Sequence, residues 1–178
     1  MNRIKFIMCC FIFMLIPVCV LNAQTLHSEN IQQDSTIKTA ISKSLDAWHK
    51  AASEANFNAY FNLMTCDAVF VGTDASEHWD IQAFKAYSKP HFDAGKAWSF
   101  TALERHIYVS EPSKLAWFDE LLKTQMGVCR GSGVMEYVKG TWKIAHYVLS
   151  ATIPNPDMKA VTTLKATADS NIEKSFKQ

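Results

Sequence analysis

Apolar residues from Ile37 onward recur at three- and four-residue steps: Ile37, Ile41, Leu45, Trp48, Ala52 and Ala55 draw one stripe along a helix. Asp34 or Ser35 stands where its N-cap is expected. Asn56 interrupts the stripe and caps a second short helix, with Phe57, Tyr60, Phe61 and Met64 on its inner side. The pattern then changes period. Residues 67–71 are branched and aromatic, a strand signature, and Gly72-Thr73-Asp74 closes it with turn residues. Helical spacing returns from Asp80 through Ile81, Phe84 and Tyr87, and Pro90 is expected to end or kink that helix near Lys89. Four long strands follow over residues 98–110, 115–123, 128–138 and 142–153. Glu111-Pro112-Ser113, residues 124–127 and Lys139-Gly140 separate them by hairpin-length gaps, so the strands are predicted to be antiparallel neighbours. After Pro154, Asn155 can cap a last helix with Pro156 at its first position and Met158, Val161, Leu164, Ala168 and Ile172 as its stripe. That helix is expected to dock loosely or to exchange with a partner. Helices first and then a meander predict an α+β fold, with the helices on one face of the sheet.

A two-residue turn at Lys139-Gly140 sets a register. It pairs Tyr137 with Trp142, Met135 with Ile144, Gly133 with His146, Gly131 with Val148 and Cys129 with Ser150, all on one face. Glu136 opposite Lys143 and Val134 opposite Ala145 fall on the other face, which makes the first set the inner one. Gly131 and Gly133 leave a patch of sheet without side chains: either room for a pocket, or the mark of a bulge that bends the sheet. A bulge there would also turn Arg130 from the outer face inward.

The rest of the chain changes the picture in three ways. Arg3 and Lys5, the apolar run of residues 7–20 and Leu21-Asn22-Ala23 read as a secretory signal peptide over residues 1–23, too short for a comfortable membrane span. A lipoprotein signal with Cys19 lipidated is the rival. The mature protein is then expected to be secreted or periplasmic, with no membrane contact once the signal is gone. Residues 24–35 form a polar tether, 36–156 one domain, and 157–178 a helical extension. The formal net charge is +1 and no basic cluster exists, which argues against nucleic acid as a partner. Of five cysteines, Cys9, Cys10 and Cys19 leave with the signal. Cys66 and Cys129 remain where a disulfide is permitted, although a pair of lone cysteines usually packs as small hydrophobes.

Candidate chemistry centres on His146, deep in the inner set. Asp119 and Glu120 are adjacent on a strand, so one faces inward and one outward. A four-residue loop at residues 124–127 puts Glu120 beside Gly131 and Phe118 beside Gly133, on the His146 side. A three- or five-residue loop puts Asp119 there instead. Either carboxylate beside an imidazole could act as a general base, or form a structural pair. His106 falls opposite the apolar parity of Leu103, Ile107 and Val109, which suits an exposed or interfacial role. His49, His78 and His91 show no ligand-like spacing, and no HxH, HxxxH or CxxC pair points to a metal; nor does any phosphate loop or dinucleotide fingerprint point to a cofactor. Trp79, Trp98, Trp117 and Trp142 supply core, interface or ligand-stacking rings. The residues expected around a pocket are Trp79, Phe118, Arg130, Met135, Trp142, Val148 and Ser150.

Gly72-Thr73-Asp74-Ala75 with Glu77 and Trp79, Ala116-Trp117-Phe118-Asp119-Glu120, Arg130-Gly131-Ser132-Gly133-Val134, and Trp142-Lys143-Ile144-Ala145-His146-Tyr147 with Ser150 and Ile153-Pro154 together resemble the SnoaL-like branch of the nuclear-transport-factor-2-like superfamily. The resemblance covers residues 36–156. It implies the cystatin-like cone, a curved and mostly antiparallel sheet wrapped around N-terminal helices, with a homodimer formed through the sheet. It also implies a small apolar molecule in the cone, held by a binding module or acted on by an isomerase, dehydratase or hydrolase. Members that only assemble are a third class. The Asp-Tyr-Asp sets and His-Asp pairs of the family's enzymes have no match here. Three readings follow: an exported binding module for a small apolar molecule, an acid/base enzyme using Asp119 or Glu120 with His146, and a dimeric assembly domain.

Overall fold

In the computed structural model, residues 16–176 are described apart from 111 and 113, with side chains from residue 32 onward. The chain falls into two units that divide between Thr39 and Ala40. The first holds the early turns of helix α1, Ile16–Ser53. Helical backbone runs through residues 24–35, so the expected tether is helix and neither Asp34 nor Ser35 caps its start. From Val18 to Thr39 the chain has no glycine or proline to stop a helix. Lys38 pairs with Asp34 one turn back at 2.6 Å, and the Thr36 and Thr39 hydroxyls donate to the carbonyls of Gln32 and Ser35. The first fifteen positions of the expected leader, and the side chain of Cys19, lie outside the described residues.

In the second unit, α1 ends at Ser53 and is followed by α2 (Phe57–Asn62), β1 (Met64–Val71), β2 (His78–Asp80), α3 (Ile81–Asp93), β3 (Phe100–Val109), β4 (Leu115–Thr124), β5 (Gly127–Val138), β6 (Thr141–Ala151) and α4 (Met158–Ser175). The six strands form one open, curved sheet in the order β2-β1-β6-β5-β4-β3. Every neighbouring pair is antiparallel except β1 with β6, which run parallel.

Local chemistry explains most element ends. At the end of α1, the Asn56 amide donates to the Ala51 carbonyl at 2.8 Å and the Ala55 amide to Ala52 at 3.0 Å, with Ala55 in the left-handed region at φ 51°. The Asn56 side chain then accepts from the Ala59 amide and starts α2, as its spacing predicts. Asp80 Oδ1 accepts from the amides of Gln82 and Ala83 and starts α3. Pro90 does not end that helix, which continues to Asp93. In the last turn a proline removes a single ladder bond. Continuing also buries Phe92 against Phe57, Tyr60 and Trp98, at ring separations of 5.6, 5.3 and 5.3 Å. The short strand β2, pairing Val69 with Asp80 and Phe70 with Trp79, has no counterpart in the sequence reading. Asn155 does not cap the last helix with its side chain: a 3-10 turn spans Asn155–Asp157 before α4. No side chain of α4 is buried, and Leu164 is fully open to solvent.

The core lies between the inner face of the sheet and the helices. Ile41, Leu45, Trp48 and Ala52 of α1 are buried, as their spacing predicts. Trp48 stacks on Tyr60 and meets Tyr147 edge-on, each at 4.8 Å, contacts worth about 0.5–1.5 kcal/mol apiece beyond the burial itself. Cys129 is buried and Cys66 exposed, and both are free thiols.

Two bulges shape the inner face. On β3, Leu103 is skipped between the pairs Ala102–Leu122 and Glu104–Leu121, which leaves it exposed. On β6, Met135 pairs with Ile144 but Val134 with His146, so Ala145 is the extra residue. The Lys139-Gly140 turn and the pairs Tyr137–Trp142 and Met135–Ile144 stand as expected. Beyond the bulge every pairing shifts by one: Gly133 faces Tyr147, Gly131 faces Leu149 and Cys129 faces Ala151. Slipping a strand by one residue exchanges its two faces. Tyr147 and Leu149 therefore point inward, where His146, Val148 and Ser150 were expected.

A buried charge cluster between two cavities

The four-residue turn between β4 and β5 pairs Glu120 with Gly131 and Phe118 with Gly133. Glu120 points inward and is completely buried. A carboxylate in such a place needs partners on both oxygens, and it has them. Oε1 accepts from His49 Nε2 at 2.7 Å and from the Tyr147 hydroxyl at 3.3 Å. Oε2 lies 2.9 Å from both Nε and Nη2 of Arg105. The remaining guanidinium nitrogen of Arg105 reaches α1, donating to the Ser42 carbonyl and hydroxyl at 3.1 and 2.8 Å and to Asp46 at 2.8 Å. One arginine thus ties helix to sheet.

Burial pushes the Glu120 carboxyl up. The hydrogen bond and charge of His49, and then the Arg105 guanidinium, outweigh it and hold Glu120 below the usual carboxylate range. Burial, and after it the Glu120 charge, push the Tyr147 phenol well above its ordinary value. The Tyr60 phenol is also raised by burial, partly offset by Trp98 beside it, although its hydroxyl reaches no partner in hydrogen-bond geometry.

Two cavities flank this cluster. A polar one of about 290 Å³ is lined by Asp46, His49, Lys50 and Ser53 of α1 and by residues 99–102. An aromatic one of about 150 Å³ lies between the ends of β1 and β2, helix α3 and the turn from β4 to β5. Phe70, Trp79, Phe84, Tyr87, Trp98 and Phe100 supply its rings, and Leu149 and Met126 add apolar wall. Thr73, Gln125 and Glu77 are its polar side chains. Phe100 lines both cavities, with its ring edge-on to His49 at 5.7 Å. Among the described residues, no group of three His, Cys, Asp or Glu side chains is placed to hold a metal ion.

The structure separates the residues expected to act together. Glu120 faces inward, whereas Asp119 faces out, with Oδ1 3.2 Å from His106 Nδ1 and 3.5 Å from Arg130 Nη1. His146 is on the outer face opposite Val134 and lies beside neither acid, because the Ala145 bulge hands its inner position to Tyr147. Arg130 stays outside, since the bulge falls on β6 and leaves the facing of β5 unchanged. Of the expected pocket residues, Trp79 lines the aromatic cavity. Phe118, Met135 and Trp142 are packed in the core and line neither cavity, while Val148 and Ser150 turn outward with His146. The bare patch at the glycines is not open space either. A Cβ on Gly131 would meet the Tyr147 hydroxyl at 2.2 Å, and one on Gly133 would meet the His146 carbonyl at 2.3 Å and the Phe118 ring at 3.0 Å.

His49, Arg105 and Tyr147 escaped the sequence reading, yet two of them left a signal. His49 falls on the α1 stripe, four residues after Leu45. Arg105 shares the inward parity of Ile107 and Val109, a place where a charge needs a partner.

The family profile of the SnoaL-like domain matches residues 41–154. No protein of curated function matches the chain. Among solved structures, a nuclear-transport-factor-2-like protein of unknown function from Pseudomonas putida KT2440 is similar at 13% identity and a TM-score of 0.58, covering 68% of this chain and 90% of its own. A candidate dehydratase of the same superfamily from Streptomyces avermitilis is similar at 13% identity and a TM-score of 0.57, covering 68% and 99%. A candidate Ca/calmodulin-dependent kinase II association domain from Exiguobacterium sibiricum is similar at 16% identity and a TM-score of 0.50, covering 66% and 95%. At such identities the likeness is one of fold.

Proposed function

The chain belongs to the SnoaL-like domain family, and from that premise we propose that it is a binding protein for a small apolar molecule seated in the aromatic cavity. The observation that carries this reading is the gathering of six aromatic rings around one space, the usual composition of a small-molecule pocket. The nearest buried acid, Glu120, has both oxygens engaged and a lowered pKa, which suits an anchor better than a proton acceptor. The protein works outside the cytoplasm; Arg3, Lys5 and the apolar run of residues 7–20 support export. Native mass spectrometry of the protein recovered from its own source tests both points. A retained small molecule, released on denaturation, and a chain lacking roughly its first 23 residues are expected. A full-length chain of bare mass, from several independent preparations, would count against both.

A second reading is favoured by one contact. His49 touches Glu120 and also lines the polar cavity, so its imidazole could exchange protons with a molecule there while Glu120 orients the ring. On this reading His49→Gln abolishes turnover of the retained molecule while leaving its binding intact. If the unaltered protein leaves that molecule chemically unchanged on prolonged incubation, this reading fails.

A further inference from the structure

Among the residues lining the aromatic cavity, Glu77 is the only one with a charged side chain: the wall holds no lysine, arginine or histidine. Glu77 follows the turn after β1 and is half-buried. Its Oε2 accepts from the Asp74 amide at 3.1 Å, and the backbone bonds Gly72 N–H to Glu77 C=O and Glu77 N–H to Asp74 C=O fix the loop that carries it. Gly72 is what allows the approach, since a Cβ there would stand 2.1 Å from Glu77 Oε2. The loop therefore brings a carboxylate to a wall made mostly of rings, with Thr73 and Gln125 as its neutral polar side chains.

That combination discriminates among ligands. An anion would meet a like charge with no cation to offset it. A neutral apolar molecule would cover the carboxylate and strip its water without returning a partner, which costs free energy. A cation with apolar substituents meets both demands: its charge faces the carboxylate, and its alkyl groups lie against aromatic rings, whose quadrupoles attract positive charge. The cavity of about 150 Å³ is small beside those that enclose drug-sized molecules, so it suits a compact group. We propose that the aromatic cavity binds a small organic cation of the alkylammonium class, with Glu77 as its counter-ion. This assignment rests on the reading of the cavity as a small-molecule site and departs from it in one respect: the guest carries a positive charge beside its apolar groups.

Choline and 3,3-dimethylbutan-1-ol, its neutral carbon isostere, separate the two ideas. The purified chain is titrated with each, and binding is followed through the indole N–H resonances of Trp79 and Trp98, assigned with Trp79→Phe and Trp98→Phe. Choline is expected to shift both resonances and to bind about ten-fold or more tightly than the isostere. Glu77→Gln, which keeps an oxygen for the Asp74 amide, is expected to erase most of that preference, weakening choline and leaving the isostere bound as tightly as before or more tightly, since the carboxylate no longer has to be desolvated. Equal binding of the two compounds, or a preference for choline that survives in Glu77→Gln with an unaltered melting temperature, would overturn the cation assignment alone. If neither compound moves either resonance, the small-molecule reading of the cavity falls with it.

Discussion

Glu120 keeps a charge in the interior only because three side chains from three elements converge on it. His49 arrives from α1, Arg105 from β3 and Tyr147 from β6. Removing one member of such a set leaves buried polar atoms of the others without their partner. Glu120→Ala is therefore expected to cost about 3–5 kcal/mol, from the Nε and Nη2 edge of Arg105 and the His49 ring losing their buried partner while Asp46 still holds the other side of the guanidinium, measured by urea unfolding. A loss under about 1 kcal/mol would show that Asp46 and Ser42 suffice to hold Arg105 without Glu120. The pH dependence has a definite sign. Folding lowers the pKa of Glu120, so the unfolded chain holds the proton more tightly. The stabilisation is complete at neutral pH and is lost as pH falls through the usual carboxylate range and on through the lower folded value. In Glu120→Gln, unfolding free energy against pH should be flatter in that acid window.

Elements were readable where their ends are written in local chemistry. Asn56 and Asp80 cap the helices their positions announce, and Lys139-Gly140 closes its hairpin with both residues at positive φ, 49° and 85°. The end of α1 is the exception that can be improved. Ala55 holds a left-handed conformation that favours glycine, at φ 51°. Ala55→Gly is expected to stabilise the protein by about 1 kcal/mol, seen as a raised midpoint in thermal or urea unfolding. An unchanged or lowered midpoint would mean that the alanine methyl contributes more than its conformation costs. The bulge at Ala145 carried no comparable sign. One extra residue in a strand leaves no mark in a run such as Ile144-Ala145-His146-Tyr147, where either of the last two could take the inner place. Tyr147 won it, and its ring fills the space over Gly131.

For the molecule as a whole, the α+β order and the antiparallel meander followed from periodicity, while the site depended on contacts that periodicity does not carry. His49 and Glu120 are 71 positions apart, and Arg105 and Asp46 are 59 apart. His49 and Arg105 showed their facing in their spacing, but the partner across the core became visible only with the sheet curved against α1. Which acid faces inward hung on the length of the turn, with Asp119 and Glu120 both left open until the pairing of Thr124 with Gly127 settled it; the choice of His146 as its neighbour failed on a single inserted residue. One consequence of this arrangement belongs to Phe100. Its ring is a party wall with a tenant on each side, so trimming it enlarges both rooms at once. Any change that retunes the aromatic space for a bulkier guest will also redraw the surroundings of His49, and the two cannot be engineered apart through that position.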